Sequence, residues 1–182
     1  MLIERIWAGN EGRNFHYLVA CADTREALVI DPLNAEAVLR RARELGWNIR
    51  QILNTHEHGD HTGGNAAVVA ATGAVVLAHA AAAARIGAVT HGLHGGDVVR
   101  VGSSVQLHCL DTPGHTRAHI CLYAPAGSAQ PPALFSGDTL FNAGAGNCLH
   151  GGDPRLLYDS FAGPLAQLPD STRVFPGHDY LQ

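Results

Sequence analysis

The chain has 182 residues, of which 46% are hydrophobic and 15% are charged, and its formal net charge at pH 7 is −4. These values predict a single globular domain over residues 1–182 with a sizeable hydrophobic core. The mild charge, the absence of runs of Lys or Arg and the low aromatic content argue against nucleic acid or an anionic membrane surface as a partner.

The cysteines and the apolar segments indicate the cellular location of the protein. Four cysteines are widely spaced and include no Cys-x-x-Cys pair: Cys21, Cys109, Cys121 and Cys148. They predict neither a disulfide framework nor a thiolate zinc site, so a reducing cytoplasm is the expected location. Residues 66–84 are apolar but rich in alanine, and Gly73 divides them into a helix pattern and a strand pattern, so no membrane span is expected.

The first third of the chain has the patterns of short strands and one helix. Strands are predicted in four segments of alternating or β-branched residues: 2–7, 15–20, 27–30 and 49–53. Asn34 can cap a helix over residues 35–45, whose apolar positions repeat at helical spacing until Gly46 ends it. This helix is expected to lie on a sheet.

The remaining elements are short as well. Strands are predicted at 74–78, 97–101, 105–110, 120–123, 133–136 and 174–175, helices at 64–71 and 79–86, and a polar loop at 127–132. Asp153 and Pro154 begin a last helix. Its apolar stripe is expected to cover a sheet face and consists of Leu156, Leu157, Phe161, Leu165 and Leu168.

The six residues from His56 to His61 contain three imidazoles and two carboxylates. Such groups brought together without a partner would repel when protonated or leave buried lone pairs unpaired, and a bound metal removes both costs. His56 and His58 project to the same side of an extended segment, while Asp60 and His61 can turn toward a second point after the flexible Gly59. The pattern therefore predicts two adjacent metal ions of the kind that nitrogen and oxygen ligands bind, namely Zn, Fe or Mn.

Two further histidines share one local setting. His115 and His178 each follow a Pro-Gly turn at the end of a predicted strand, and a stiff loop of this type suits a metal ligand. Asp138 also follows a strand, where it can be a ligand or cap the next turn. His119 begins the predicted strand 120–123, which favours a place in the core or in support of a ligand.

Four motifs together resemble the metallo-β-lactamase superfamily and, within it, the glyoxalase II (hydroxyacylglutathione hydrolase) family. They are Thr55-His56-Glu57-His58-Gly59-Asp60-His61, Thr112-Pro113-Gly114-His115-Thr116, Ser136-Gly137-Asp138-Thr139-Leu140-Phe141 and Phe175-Pro176-Gly177-His178-Asp179-Tyr180. The resemblance implies an α/β fold, an αββα sandwich of two mixed sheets with helices on the outer faces. It also implies that one metal is held by His56, His58 and His115, that the other is held by Asp60, His61 and His178, and that Asp138 bridges them.

By the same resemblance, the chain would cleave a thioester, such as S-2-hydroxyacylglutathione or a related acyl thioester, by a hydroxide that bridges two divalent metal ions. Three of the ligands would be the catalytic residues: Asp60, His115 and Asp138. Asp31 and His119 would support the ligands through hydrogen bonds, although turn formation and packing can also explain them. Tyr180 and Asn147 occupy positions that contact substrate in the family.

The sequence departs from this family at two places. Ala145-Gly146-Asn147-Cys148-Leu149 stands where the family carries Cys-Gly-(Lys or Arg)-Phe-Tyr, and no carboxy-terminal helical domain is expected after Tyr180. The thiol of the substrate therefore stays open, and the sequence carries no signal for the oligomeric state. The alternative function is that of a persulfide dioxygenase of the same fold, in which His56, His115 and Asp138 hold one Fe(II).

Overall fold

The computed structural model describes residues 1–127 and 131–181, so the predicted loop at 127–132 lies partly outside the described residues. The strands are β1 (Leu2–Trp7), β2 (Phe15–Ala20), β3 (Glu26–Ile30), β4 (Asn48–Asn54), β5 (Val75–His79), β6 (Val89–Leu93), β7 (Val98–Val101), β8 (Val105–Asp111), β9 (Ile120–Ala124), β10 (Ala133–Gly137) and β11 (Arg173–Pro176). The helices are α1 (Ala35–Leu45), α2 (Gly59–Thr62), α3 (Asn65–Thr72), α4 (Ala83–Ile86) and α5 (Pro154–Ala162).

These strands form two mixed sheets, as predicted. The first has the order β1-β2-β3-β4-β5-β6, in which β1 to β3 are antiparallel and β3 to β6 are parallel. The second has the order β11-β10-β9-β8-β7, and only its β10–β11 pair is parallel. Because β8 and β10 both run antiparallel to β9, the carboxyl ends of β8, β10 and β11 lie at one edge of the sheet.

Two apolar layers hold the sheets and helices together. Side chains of β2 alternate between them: Tyr17 and Val19 enter the layer between the sheets, and Leu18 and Ala20 enter the layer under the helices. All four are at most 2% exposed, so both faces of this strand are covered. The first sheet is therefore packed on one face against the second sheet and on the other against α1 and α3.

Helix α1 is bounded by the residues that the sequence indicates. The Asn34 side chain accepts a hydrogen bond from the Ala37 backbone N–H at 3.0 Å, and Gly46 ends the helix with a φ of 67°. A residue with a Cβ is strained at this positive φ, whereas glycine is not. Among the described residues, no helix has the length and apolar character needed to cross a membrane.

Three parts of the fold differ from the sequence-based expectation. The strand β6 (Val89–Leu93) was not predicted, and the predicted helix at 79–86 is a strand end followed by the 3-10 turn Ala80–Ala82 and α4. Helix α5 ends at Ala162. The Gly163 N–H still donates to the Asp159 carbonyl, but Pro164 has no N–H with which to continue the helical hydrogen bonds. Two residues of the expected apolar stripe therefore lie beyond the helix, Leu165 in a 3-10 turn and Leu168 after it.

Candidate metal centre

Loops at the carboxyl ends of five strands meet at one edge of the sandwich. Asp31 follows β3, the segment 56–61 follows β4, His115 follows β8, Asp138 follows β10 and His178 follows β11. Residues at strand ends are free of the sheet ladder and can point at a common ligand. The structure thus brings together all seven residues that the sequence analysis singles out as metal ligands.

These side chains form compact groups whose possible ligand atoms lie within 4.8 Å of one another: His56 with His58 and His115, His56 with His61 and Asp138, and Asp60 with His61 and His178. Asp138 lies between the first group and the third. Its Oδ1 is 3.4 Å from His61 Nε2, and its Oδ2 is 3.2 Å from His178 Nε2 and 3.5 Å from His115 Nε2. One carboxylate therefore reaches histidines of both groups.

Hydrogen bonds on the far side of the rings fix which nitrogen points into the site. His115 Nδ1 donates to the carbonyl of Asn147 at 2.6 Å, and His178 Nδ1 donates to the carbonyl of Gly12. A carbonyl oxygen can only accept, so each ring carries its proton on Nδ1 and leaves a lone pair on Nε2. Both Nε2 atoms face Asp138.

His61 and His56 are oriented through Asp31 and Thr55. The Asp31 carboxylate accepts from the Thr55 backbone N–H at 2.8 Å and from its hydroxyl at 2.7 Å, and His61 Nδ1 lies 3.0 Å from Asp31 Oδ2. Since the Thr55 hydroxyl donates to Asp31, it accepts from His56 Nδ1, 3.0 Å away. Asp31 has a φ of 51°, an uncommon conformation for a residue with a side chain. These contacts leave Nε2 of both histidines directed at the site.

His119 holds the backbone of Asp138 through a hydrogen bond. Its Nε2 accepts from the Asp138 backbone N–H at 3.1 Å, so its proton lies on Nδ1, within 2.9 Å of Thr112 Oγ1. Its ring also stacks on His56, with the ring centroids 5.1 Å apart. Burial lowers the pKa of His119 to about 3, so the ring is neutral near pH 7 and keeps these contacts.

Asn14 is a part of the site that the sequence analysis did not assign. Its Nδ2 donates to Asp60 Oδ2 at 3.0 Å, and it lies 3.4 Å from His178 Nε2. Asn10 holds Asn14 through a 2.7 Å bond between their side chains. No local pattern reveals this role, because Asn14 and Asp60 are 46 positions apart in the sequence.

The donor set fits divalent cations. Asp138 Oδ1 is buried without a hydrogen-bond partner among the described residues, and His56 Nε2 and His115 Nε2 lie 3.1 Å and 3.0 Å from His58 Nδ1. Burial lowers the pKa of His61, but Asp138 and Asp31 outweigh it and raise that pKa well above the usual value. The site therefore favours a cation, either a proton on His61 or a metal ion that displaces it.

The two residues predicted to contact substrate border a cavity of about 260 Å³ that also reaches His115 and Asp138. Tyr180 is 45% exposed, and its ring stacks on His178 with the centroids 5.5 Å apart and the planes 6° from parallel. The side chain of Asn147 accepts from the Leu149 backbone N–H at 3.0 Å, which stabilises the turn. Contact of either residue with a substrate stays a prediction.

Comparisons with known proteins agree with this geometry. A family model described as the metallo-beta-lactamase superfamily matches residues 10–178. The hydroxyacylglutathione hydrolases of Polaromonas sp. and Nitrosococcus oceani are 61% and 57% identical over 182 residues, which cover all of this chain and 68% of each relative. The crystal structure of ETHE1 from Myxococcus xanthus aligns with a TM-score of 0.89 and 32% identity, over 100% of this chain and 77% of that one.

The family match spans nearly the whole chain, and the two relatives are similar over its full length. The predicted fold and the predicted site for two divalent metal ions agree with this relationship, and the His and Asp groups provide the donors. The chain therefore belongs to the metallo-β-lactamase superfamily and is a metal-dependent hydrolase.

Proposed function

We propose that the chain hydrolyses thioesters, with S-2-hydroxyacylglutathione or a related acyl thioester as the substrate. The observation that carries the proposal is the arrangement of seven ligands in two groups that share Asp138. The hydroxyacylglutathione hydrolases to which the chain is 57% and 61% identical support the choice of substrate class. The free cysteines of the structure support a cytoplasmic location, because a reducing compartment keeps thiols unpaired.

The proposed ligand assignment follows the three compact groups. One metal is held by His56, His58 and His115, and the other by Asp60, His61 and His178, with Asp138 between them. Zn, Fe and Mn all accept such ligands. When bound, two such ions lower the pKa of a shared water toward neutrality and polarise a carbonyl oxygen.

The residues of the chain position the reactants around these ions. Asp60 has the most exposed carboxylate of the ligand set, with 44% of its side chain accessible. Burial raises the pKa of Asp60, but His61 and the hydrogen bond from Asn14 outweigh it and lower the pKa overall. Asp60 is therefore an ionised acceptor that can orient a nucleophilic water, while His115 and Asp138 are held rigidly by Asn147 and His119.

The dioxygenase alternative has less support. It requires His56, His115 and Asp138 alone around one iron, and it gives no ligand role to Asp60, His61 and His178. Those three residues nevertheless form a compact group of their own. Within it, Asn14 holds Asp60 through a hydrogen bond, and Asp31 holds His61.

The test is thioester hydrolysis measured with S-lactoylglutathione before and after metal removal. We expect chelation to abolish the activity and reloading with Zn, Fe or Mn to restore it. His178→Ala should lower kcat/KM by about 100-fold or more, whereas His91→Ala, on the exposed face of β6, should leave it unchanged. Full activity in protein shown to be free of metal would contradict the proposal.

A further inference from the structure

A second cavity, of about 330 Å³, borders the metal centre at His58. We call it the arginine pocket. Its lining consists of Glu57, His58, Arg85, Arg117, His150 and Gly151. The ring centroids of His150 and His58 are 6.4 Å apart. None of the contacts described for the metal ligands requires Arg85, Arg117 or His150, so their place beside the ligands calls for another explanation.

Arg85 is fixed at one wall of the pocket. Its Nε and one terminal nitrogen both lie 2.9 Å from Glu57 Oε1, and Thr116 Oγ1 donates to the other oxygen of Glu57 at 3.2 Å. Glu57 is therefore satisfied on both oxygens. A guanidinium has five N–H donors, and the contacts with Glu57 leave Arg85 with donors for a further acceptor.

Arg117 also lines the pocket and lies two residues after the ligand His115. One of its terminal nitrogens is 3.2 Å from Asp153 Oδ2, and 65% of the side chain is exposed. Asp153 is held in turn, because its Oδ1 caps α5 by accepting from the Arg155 and Leu156 backbone N–H groups. Arg117 thus has one fixed partner, and its guanidinium has further N–H donors that a ligand in the pocket can use.

The two cavities border the metal centre at different ligands. The cavity with Tyr180 reaches His115 and Asp138, whereas the arginine pocket reaches His58. A thioester has two arms, the acyl group and the thiol group, on either side of its carbonyl carbon. If the carbonyl lies at the metal centre, as the proposed function requires, each cavity can receive one arm.

We propose that the arginine pocket binds a carboxylate carried by one arm of the thioester, with Arg85 and Arg117 as the residues that determine this specificity. Two guanidinium groups that flank one cavity present the paired N–H donors that match a carboxylate. The inference rests on the proposed function. The carboxylate can belong to the acyl arm or to the thiol arm, and the experiment separates the two sources.

The experiment uses four thioesters that carry a carboxylate on the acyl arm, on the thiol arm, on both arms or on neither. The acyl group is acetyl or succinyl, and the thiol is N-acetylcysteamine, which is neutral, or 3-mercaptopropionate, which is acidic. Arg117→Gln, Arg85→Gln and the double variant are compared with wild type. Arg50→Gln is the matched control, because Arg50 is also an exposed arginine in an ion pair, with Glu26, and lies on β4 away from the pocket.

For the arm that enters the pocket, we expect the double variant to lower kcat/KM of the acidic thioester by about tenfold, mainly through KM, because a lost binding contact acts on ground state and transition state alike. The doubly neutral thioester should change less than twofold in the same variant, and Arg50→Gln should change none of the four. A loss confined to succinyl substrates assigns the carboxylate to the acyl arm, and a loss confined to mercaptopropionate substrates assigns it to the thiol arm.

Two results would overturn the inference. The first is an equal loss of kcat/KM for neutral and acidic thioesters. It would show that the arginines only stabilise the conformation of the loop that contains Glu57. Arg117→Gln alone makes this result interpretable, because the bond that Arg117 makes among the described residues is to Asp153 and not to Glu57. The second is no loss for any thioester, with wild type active on all of them, which leaves the proposed function intact. If wild type hydrolyses none of the four and no S-lactoylglutathione, the proposed function itself fails.

Discussion

Replacement of Asp138 by Asn tests the shared ligand directly. The side chain is 8% exposed, and its two oxygens lie 3.2 to 3.5 Å from three imidazole nitrogens. Burial raises the pKa of Asp138, but His61 and His178 outweigh it and hold the pKa well below its usual range, so the wild-type group is a carboxylate. Asn keeps the volume but removes the negative charge and one acceptor oxygen.

The expected loss of metal affinity follows from the position of Asp138 between the two groups of ligands. Loss of a residue that only orients a ligand weakens metal binding by about 10- to 100-fold, and loss of a shared ligand should exceed that range. We therefore expect Asp138→Asn to weaken binding of the second metal equivalent by at least about 100-fold, or ~2.7 kcal/mol. Asp159→Asn is the control, since Asp159 is a carboxylate in an exposed ion pair with Arg155.

The assay is titration of metal-free protein with Zn²⁺ against a competing chelator, followed by elemental analysis after dialysis. Circular dichroism of both variants establishes that they are folded. The expected result is at most one tightly held equivalent in Asp138→Asn and two in Asp159→Asn. Two equivalents held with wild-type affinity in Asp138→Asn would refute the reasoning that this carboxylate is shared.

Three further predictions concern the support of the site and the fold. Asp31→Asn removes the charge that orients His61 and should weaken metal binding by about 10- to 100-fold in the same titration. Gly64→Ala should destabilise the protein by about 3 kcal/mol or more in urea unfolding, because a Cβ would stand 1.8 Å from the Pro32 carbonyl oxygen. Burial lowers the pKa of His16 to about 4 from 6.5 in the unfolded chain, so the folded state binds fewer protons and stability falls as the pH drops below 6.5. His16→Gln in chelated protein should reduce this loss between pH 7 and pH 5 by about 2 kcal/mol.

Each of these predictions has its own contrary result. Unchanged metal affinity in Asp31→Asn would show that the carboxylate serves only the turn in which it lies. Wild-type stability of Gly64→Ala, with Gly127→Ala as the control in open space, would mean that the chain near Pro32 shifts at little cost. An identical pH dependence in wild type and His16→Gln would show that His16 does not titrate as its burial requires.

The sequence was sufficient to predict which seven residues the fold brings together, because their signal is local. The segment 56–61 and the two Pro-Gly-His turns carry unusual residue types at short spacing, directly after strands, and the structure brings these residues to one edge. The supporting roles of Asp31 and His119 were also predicted, and the hydrogen bonds to His61 and to the Asp138 backbone provide their physical basis.

The unpredicted parts depend on contacts between distant residues or on weak patterns. Asn14, the residue before β2, reaches Asp60 only because the fold brings it beside α2. Strand β6 reads Val-Thr-His-Gly-Leu, and only Leu93 of it is buried, so neither alternation nor burial indicates a strand. Helix α5 ends before Pro164, which cannot continue a helix, whereas the leucine spacing beyond it predicts a longer one.

The most direct test of the account is the metal content of each chain, measured by elemental analysis of protein purified without added metal or chelator. We expect two equivalents of Zn, Fe or Mn per chain, together with thioester hydrolysis that is lost when they are removed. One equivalent that is all iron, with oxygen consumed in the presence of a persulfide and no thioester hydrolysis, would contradict it.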